Sequence, residues 1–317
     1  MRNVNTRVYS RIGEVSPAPS VVTIGAFDGV HRGHQHLLAQ ARFRADEIGA
    51  RLLVVTFEPL PIQVFRPDSF PGRIVTNLRR RELLFANGAD VLVELPFSRE
   101  MAKVTAEAFV DELIAAGPLR ELLVGEDFAL GHNREGTPER LAELTREHGT
   151  VVRTLCRIDV AGDEVSSSAI RRCIIEGRAE DASRLLGHRF QVRGEVVRGA
   201  QIGRTIGFPT ANVAPPQDLV PLQDGIYASL AQVDEDDALR PAMTYIGTRP
   251  AVNTGARMIE THLFDFSGDL YGRQLTTSFV RHIRQDADFP SVDALRDQLD
   301  RDEIVAREVL AVVSSNV

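Results

Sequence analysis

Two histidines stand three residues apart in the segment TIGAFDGVHRGHQHLL, which covers residues 23–38. His31 and His34 lie in a loop between a short β-branched apolar run and a run with helical spacing. We therefore expect both imidazoles near a helix N-terminus, where unpaired backbone N–H groups and the helix dipole favour an anion. Three residues without a Cβ atom would let a phosphate approach the backbone, namely Gly25, Gly29 and Gly33.

This segment predicts a nucleotide-phosphate site, in which the histidines donate hydrogen bonds to charge that develops during phosphoryl transfer. The plain alternative is a pair of surface histidines in a loop, which the position between a strand and a helix disfavours. Zinc binding is less attractive, because no third ligand follows at a recognisable spacing.

A second group of candidate residues occurs in GRTIGFPTAN, at residues 203–212. Thr210 and Asn212 alternate along an extended segment, so their side-chain oxygens are expected on one side of it. Gly203 and Gly207 permit tight turns, and the proline between them and Thr210 fixes φ. Two neutral oxygens suit a magnesium ion that keeps waters and phosphates as its other ligands.

The composition narrows the classes of function. The chain has 317 residues, a formal charge of -7, 43% hydrophobic residues and only two cysteines. These values are typical of a globular protein of about two domains without a disulfide framework. They offer no basic field for a nucleic acid, and no apolar run reaches the roughly 18 residues that span a bilayer. We expect a cytoplasmic protein without a nucleic-acid or membrane partner, and the oligomeric state stays open.

The elements that must position these residues fall into two classes. Residues 20–160 alternate strand-type runs with helical runs, which predicts right-handed crossovers and a doubly wound α/β domain. The predicted strands are 20–26, 51–59, 90–97, 120–128 and 150–160, and the predicted helices are 36–50, 76–88, 106–117 and 138–149. Two short helices follow at 168–177 and 179–187, each ending in a glycine.

After about residue 188 the chain changes to short alternating runs separated by Gly, Asp and Pro, a pattern typical of an antiparallel barrel. The runs that we single out are 189–199, 226–233, 258–266 and 273–283. The last segment, 290–313, predicts a helix that Ser291 caps and that packs on the barrel through Val292, Leu295 and Leu299. The predicted fold is a Rossmann-like α/β domain over 1–187, followed by a β-barrel with a terminal helix over 188–317.

GAFDGVHRGH resembles the signature of the HxGH nucleotidyltransferases, and more closely that of the prokaryotic bifunctional riboflavin kinase/FAD synthetase family. Segments at 56–61, 125–131 and 166–171 match that family's TFxPxP, GxDFxxG and SSxxIR patterns. GRTIGFPTAN is similar to the riboflavin kinase signature, and DGIYA, YIGTRPA, ETHLFDF and DLYG follow it at 224–228, 245–251, 260–266 and 269–272. The resemblance implies phosphorylation of riboflavin by ATP in the second domain and adenylylation of the resulting FMN to FAD in the first.

The same resemblance implies roles for individual residues. His31 and His34 would contact the ATP phosphates, while Asp127 and Phe128 would shape the flavin pocket. The other residues of the first nucleotide site would be Gly25, Phe27, Asp28, Gly29, Gly33, Ser167, Ser168 and Arg171. In the second domain Glu260 would be the general base. Thr210 and Asn212 would hold Mg²⁺, and Gly203, Thr205 and Gly207 would contact ATP.

Some positions depart from the family pattern. Leu60 replaces a common histidine of the TFxPxP loop, and Ala129-Leu130 replaces an aromatic stretch. Tyr245 and Ala251 stand where asparagine and threonine are usual in the second domain. The departures at Leu60 and Ala129-Leu130 motivate an alternative, a riboflavin kinase whose first domain only binds nucleotide. A flavin-sensing or RNA-binding module that reuses both folds is the third possibility.

Overall fold

The computed structural model describes residues 8–199, 202–234, 236, 238–248 and 257–314. The chain divides into two compact units. The first comprises Met1–Pro71 and Val75–Ser167, and the second comprises Gly72–Ile74 and Ser168–Val317. Ala251 lies outside the described residues. The domain boundary at 187/188 stays a prediction.

The first unit is built on a six-stranded parallel sheet with the order β1-β4-β3-β2-β5-β6. The strands are β1 (Val8–Tyr9), β2 (Ser20–Ile24), β3 (Arg51–Glu58), β4 (Val91–Pro96), β5 (Leu119–Gly125) and β6 (Val151–Leu155). Every residue of β2 is buried, so both faces of the sheet are covered. The predicted doubly wound α/β fold is confirmed.

The helices of this unit begin where the sequence supplies caps. They are α1 (Arg32–Glu47), α2 (Pro61–Phe65), α3 (Asn77–Ala86), α4 (Ala106–Ala115) and α5 (Pro138–Thr145), and α6 (Ser167–Ile175) starts at the unit's last residue. The hydroxyl groups of Thr76, Thr105 and Thr137 accept backbone hydrogen bonds at the first turns of α3, α4 and α5. On one face of the sheet, α4 and α5 bury apolar side chains that include Phe109 and Leu141.

The structure corrects two details of the prediction. Helix α1 begins at Arg32 rather than at residue 36, because His31 caps it and Gly33 lies within its first turn. The predicted strand 150–160 ends at Leu155 and is followed by a hairpin of β7 (Asp159–Val160) and β8 (Asp163–Glu164). The hairpin turn places Ala161 and Gly162 at φ values of 53° and 87°, as a two-residue turn between antiparallel strands requires.

The second unit contains a closed six-stranded barrel in which all neighbouring strands are antiparallel. Its elements are α7 (Ala179–Leu186), β9 (Gln191–Val197), α8 (Ile202–Thr205), β10 (Ala211–Val213), β11 (Gly225–Val233), β12 (Arg240–Thr248), β13 (Arg257–Leu263) and β14 (Gln274–Arg284). The predicted barrel is confirmed. The runs that we singled out did not include β10, which has three residues, or β12, whose Pro241 and Gly247 obscure the strand pattern.

Alternating residues of the barrel strands face different surroundings. Inside, the Ser229, Thr244, Thr261 and Thr277 hydroxyl groups form a hydrogen-bonded chain with oxygen separations of 2.7–3.1 Å. Because β13 and β14 are not neighbours, the Thr261–Thr277 bond crosses the barrel interior. The outer face packs against α9 (Val292–Ser314) through Leu295 and Leu299, as predicted, whereas Val292, at the first position of the helix, is 59% exposed. The Ser291 hydroxyl accepts a hydrogen bond from Ala294 N–H at 3.1 Å and caps this helix.

Candidate active sites

The HxGH segment is the connection between β2 and α1. Phe27 and Val30 adopt positive φ values of 49° and 40°, and Gly29 lies between them at 83°. His31 is the N-cap of α1, where its Nδ1 atom accepts a hydrogen bond from the His34 N–H at 3.4 Å. Acceptance at Nδ1 leaves the proton of the neutral His31 ring on Nε2. The turn therefore brings both imidazoles to the first turn of the helix.

The two imidazole rings stack on each other. Their centroids are 3.7 Å apart with an interplanar angle of 18°, and the edge of Phe27 meets His34 at 5.1 Å. A Cβ atom on Gly33 would lie 3.2 Å from the His31 ring, so glycine permits this close approach. Burial, with a smaller contribution from His31, lowers the pKa of His34 well below 6.5. His34 is therefore neutral at neutral pH.

Arg80, on α3, holds the loop between β2 and α1 through hydrogen bonds. Its side chain is 2% exposed and donates to the Ala26 carbonyl at 3.1 Å. It also donates to the Glu58 carboxylate at 2.8 Å, to Asn77 Oδ1 at 2.9 Å and to the Glu94 carboxylate at 3.2 Å. These bonds join the loop to β3 and β4 and balance the buried charge. Sequence reasoning missed Arg80, because three consecutive arginines in a helical run look like an exposed face.

Two cavities adjoin the HxGH loop in the first unit. One, of about 330 Å³, is lined by His31 and His34. The other, of about 960 Å³, is lined largely by apolar and aromatic side chains, with Arg99 and Lys103 also on its wall. Three residues line both cavities, namely Gly25, Asp127 and Phe128. The structure thus brings these predicted site residues together with the histidines.

The departures from the family pattern in this unit lie at different places relative to the two cavities. Leu60 is 1% exposed and does not line either of these two cavities. Its side chain is accommodated as an apolar core residue. Ala129 and Leu130 both lie in the wall of the larger cavity, and Leu130 also belongs to the main core.

The SSxxIR segment is divided between the two units. Ser167, in the first unit, lines the smaller cavity and donates a hydrogen bond to the Asp28 carbonyl at 3.2 Å. Ser168 and Arg171 belong to the second unit. Arg171 is 8% exposed, and its Nε donates to the Gly72 carbonyl at 2.8 Å. The role of Ser168 and Arg171 at the triphosphate stays a prediction.

Strand pairing in the barrel places three side chains on one face. Glu260, on β13, is directly opposite Asn212 of β10 and directly opposite Tyr245 of β12. Side chains that face each other across neighbouring strands lie close enough to act on one ligand. The Asn212 amide nitrogen donates to the Thr210 carbonyl at 3.3 Å, and His262 Nδ1 lies 2.8 Å from the Pro209 carbonyl. The first contact lies within the PTAN segment, residues 209–212, and the second joins that segment to β13.

The glycine-rich turn before PTAN is held by its own backbone. The Gly203 carbonyl accepts hydrogen bonds from Ile206 N–H at 3.2 Å and from Phe208 N–H at 2.8 Å. A Cβ atom on Gly203 would overlap the Phe208 carbonyl oxygen, and Gly207 adopts a φ of 92°. Thr205 and Gly207 are exposed and do not line the two cavities described next.

Two cavities also adjoin this segment. One, of about 620 Å³, is lined by polar residues that include Arg204, Asn212 and Asp269. The other, of about 560 Å³, is lined by Glu260 and by a set of apolar and aromatic side chains. That set includes Phe208, Met243, Tyr245, Phe289, Leu295 and Leu299. Thr210 lines both cavities.

Among the described residues, no helix combines the length and the apolar character that crossing a membrane requires. The same residues contain no group of three or more His, Cys, Asp or Glu side chains arranged to hold a metal ion.

Comparison with known proteins matches both units. A family model for FAD synthetase matches residues 14–169, and one for riboflavin kinase matches residues 186–310. The bifunctional riboflavin kinase/FMN adenylyltransferase of Pseudomonas fluorescens is 38% identical over 92% of this chain and 93% of its own length. That of Escherichia coli (strain K12) is 36% identical over 94% of this chain and 96% of its own.

A crystal structure described as a macrolide-efflux protein from Streptococcus pneumoniae superposes with a TM-score of 0.85 at 29% identity. It covers 95% of this chain and 98% of its own. The matches define the chain as a transferase with two unlike parts. It belongs to the family of bifunctional riboflavin kinase/FMN adenylyltransferases. Because both family models match, the alternative of a kinase with an inactive first domain is not favoured.

Proposed function

We propose that this chain converts riboflavin to FMN and FMN to FAD at two separate sites. The observation that carries the proposal is a pair of adjoining cavities in each unit, one lined by phosphate-binding groups and one by apolar and aromatic side chains. ATP is a polyanion and a flavin has a flat aromatic ring, so each pair suits the two substrates of one reaction. We assign the adenylyltransferase to residues 1–187 and the kinase to residues 188–317.

In the first unit, we assign ATP to the cavity beside the histidines and FMN to the larger aromatic cavity. A phosphate oxygen of FMN attacks the α-phosphorus of ATP, the bond to the β-phosphate breaks, and pyrophosphate leaves. His31 and His34 donate hydrogen bonds to the charge that develops on the phosphoryl oxygens. Burial lowers the pKa of His34 in the ligand-free chain, and a ring N–H of this residue would donate to the phosphates.

The groups that line both cavities lie where the two substrates must meet. Gly25 exposes backbone to the ligand, while Asp127 and Phe128 form part of each wall. The remaining nucleotide ligands of this proposal are Phe27, Asp28, Gly29, Gly33, Ser167, Ser168 and Arg171. A helix N-terminus supplies the anion-binding field at this point.

In the second unit, we assign ATP to the polar cavity and riboflavin to the apolar one. Glu260 accepts the proton of the ribityl 5′-hydroxyl as that oxygen attacks the γ-phosphorus of ATP, and ADP leaves. The assignment is supported by the position of Glu260 on the wall of the apolar cavity, while Thr210 lines both. Gly203, Thr205 and Gly207 form the turn that we assign to ATP.

The residues at the kinase site fit a magnesium ion. Asn212 is 7% exposed, lines the polar cavity and directs its amide nitrogen to Thr210, while no described residue donates to its Oδ1. Asn212 and Thr210 would hold the ion through neutral oxygens, with phosphate and water as the other ligands. Bound there, Mg²⁺ neutralises charge on the phosphates. We further propose a cytoplasmic location and no nucleic-acid partner.

A time course on the purified protein tests the proposal. Riboflavin, ATP and MgCl₂ are incubated with the enzyme, and riboflavin, FMN and FAD are resolved by chromatography. FMN is expected to appear first and FAD to follow from it. A second reaction starts from FMN. If no FAD forms in the second reaction, the adenylyltransferase assignment is refuted. If riboflavin is not consumed in the first reaction, the kinase assignment is refuted.

A further inference from the structure

The apolar cavity of the second unit has a wall that belongs to neither the barrel nor α9. The barrel contributes Met243 and Glu260, and α9 contributes Leu295 and Leu299. The segment before β10 contributes Phe208 and Thr210. A further part comes from the link between β14 and α9, residues 285–291, in which Asp286, Ala287, Asp288, Phe289 and Ser291 line the cavity. The shape of the cavity therefore depends on how the link is held.

One direct bond ties this link to the barrel. The Tyr245 hydroxyl, on β12, donates to the Asp286 carboxylate at 2.8 Å. The other oxygen of that carboxylate accepts the Ala287 N–H at 2.9 Å, which fixes the carboxylate relative to the link backbone. Tyr245 is 9% exposed and lines the cavity itself. Tyr245 is the buried partner of this bond, whereas Asp286 is exposed, so the bond runs from the barrel wall to the surface of the link. Because the bond fixes the position of Asp286, its loss is expected to change the geometry of the wall.

Arg284, the last residue of β14, contacts both α9 and the link. It forms an ion pair with Asp302 of α9 at 2.8 Å, and Asp302 is 2% exposed. The Arg284 guanidinium also lies 5.5 Å from the ring centroid of Phe289 in the link. The barrel thus contacts the link at Asp286 through Tyr245 and at Phe289 through Arg284.

The Tyr245 side chain packs closely against Gly247. A Cβ atom on Gly247 would overlap the tyrosine hydroxyl, so the ring occupies the space that this glycine leaves. Tyr245 also lies directly across the strand pair from Glu260. One side chain therefore borders the catalytic carboxylate and reaches the link at the same time.

We propose that Tyr245 is a positioning residue of the kinase site, because its hydroxyl holds Asp286 and so fixes the link as the wall against which the flavin ring binds. This inference rests on the proposed function. It makes the Tyr245–Asp286 bond a determinant of riboflavin affinity, separate from ATP binding in the neighbouring cavity.

The test compares wild type with Tyr245→Phe, Asp286→Ala and the double variant. Because the Asp286 carboxylate is exposed, removal of this hydrogen bond predicts a rise of roughly 5-fold in the KM for riboflavin, with kcat and the KM for ATP within about 2-fold. The same rise is expected in the Kd for riboflavin, measured by quenching of flavin fluorescence without ATP. Since both single changes break one bond, the double variant should bind no worse than Asp286→Ala.

Tyr227→Phe is the matched control. Tyr227 is also a buried barrel tyrosine, and its hydroxyl donates to the Gln223 carbonyl at 2.8 Å, but it does not line the kinase cavities. This variant should keep the wild-type KM for riboflavin. An unchanged KM and Kd in Tyr245→Phe, or effects that multiply in the double variant, would overturn the proposal. A wild-type protein that binds riboflavin but does not phosphorylate it would instead refute the proposed function.

Discussion

Replacing Gly33 with alanine should slow FAD formation without lowering the stability of the protein substantially. The added Cβ would lie 3.2 Å from His31 Cε1 and Nδ1, where ordinary contacts are 3.4–4 Å. The His31 ring must therefore move by a few tenths of an ångström. It is 7% exposed and stacked on His34, so few directions are open to it.

The expected magnitude follows from this displacement. A shift of about 1 Å in a catalytic group costs about 100-fold in rate, so a shift of roughly half that size predicts a loss of about 10-fold in FAD formation. Stability should change little, because the preference of a helix for alanine over glycine, up to about 1 kcal/mol, opposes the steric cost at the His31 ring. The rate is measured from FMN and ATP by chromatography, and unfolding by calorimetry.

Two internal comparisons accompany this variant. FMN formation from riboflavin, in the same preparation, should equal that of the wild type. Gly13→Ala adds a methyl group at a glycine with nothing within 4 Å of its Cβ position and should leave both reactions unchanged. A wild-type rate of FAD formation in Gly33→Ala would refute the steric reasoning. A fall in both activities together with a lower melting temperature would indicate misfolding instead.

Three further changes have defined outcomes. The Arg44 guanidinium holds the pKa of Glu121 at about 2, so Glu121→Gln should lower the free energy of unfolding at pH 7 by roughly 2–3 kcal/mol, as calorimetry can measure. Gly203→Ala forces a methyl group onto the Phe208 carbonyl and should reduce FMN formation about 100-fold, with FAD formation from FMN unchanged. Because folding lowers the pKa of His34, stability should fall as pH drops below 6.5, and His34→Gln should show a smaller fall in melting temperature between pH 7.5 and 5.5.

Each of these expectations has a result that would contradict it. A carboxylate with a lowered pKa stabilises the folded state above its ordinary pKa of 4.5 and loses that contribution as pH falls towards 2. An equal stability loss in Glu121→Gln at pH 3 and pH 7 would exclude the charge explanation. Normal FMN formation in Gly203→Ala would show that the kinase does not require the tight turn at Gly203. Identical pH dependence of the melting temperature in His34→Gln and wild type would show that folding does not lower the pKa of His34.

Features of the fold that depend on local sequence patterns were predicted correctly. Alternating strands and helices identified the parallel sheet, and short alternating runs identified the barrel. The N-cap role of His31 was less accessible, because a glycine two residues later argues against a helix start at Arg32. The hairpin at 159–164 was missed, since its turn residues, Ala161 and Gly162, look like a minor interruption in a longer strand.

Contacts between distant segments could not be predicted from the pattern. Arg80 is separated by 54 residues from Ala26, whose carbonyl it binds. Tyr245 meets Asp286 only because the link after β14 returns along the barrel wall. The Arg80 and Tyr245 side chains each hold part of a candidate site in place. No pattern of neighbouring residues in the sequence indicates either contact. Sequence patterns specified the groups suited to the chemistry more completely than the groups that hold them in place.

A pair of variants tests whether one chain carries two independent active sites. Glu260→Ala and His34→Ala are each assayed for FMN formation from riboflavin and for FAD formation from FMN, with folding checked by calorimetry. We predict that Glu260→Ala abolishes the first reaction and retains the second, and that His34→Ala does the reverse. Loss of both reactions in either folded variant would contradict separate sites.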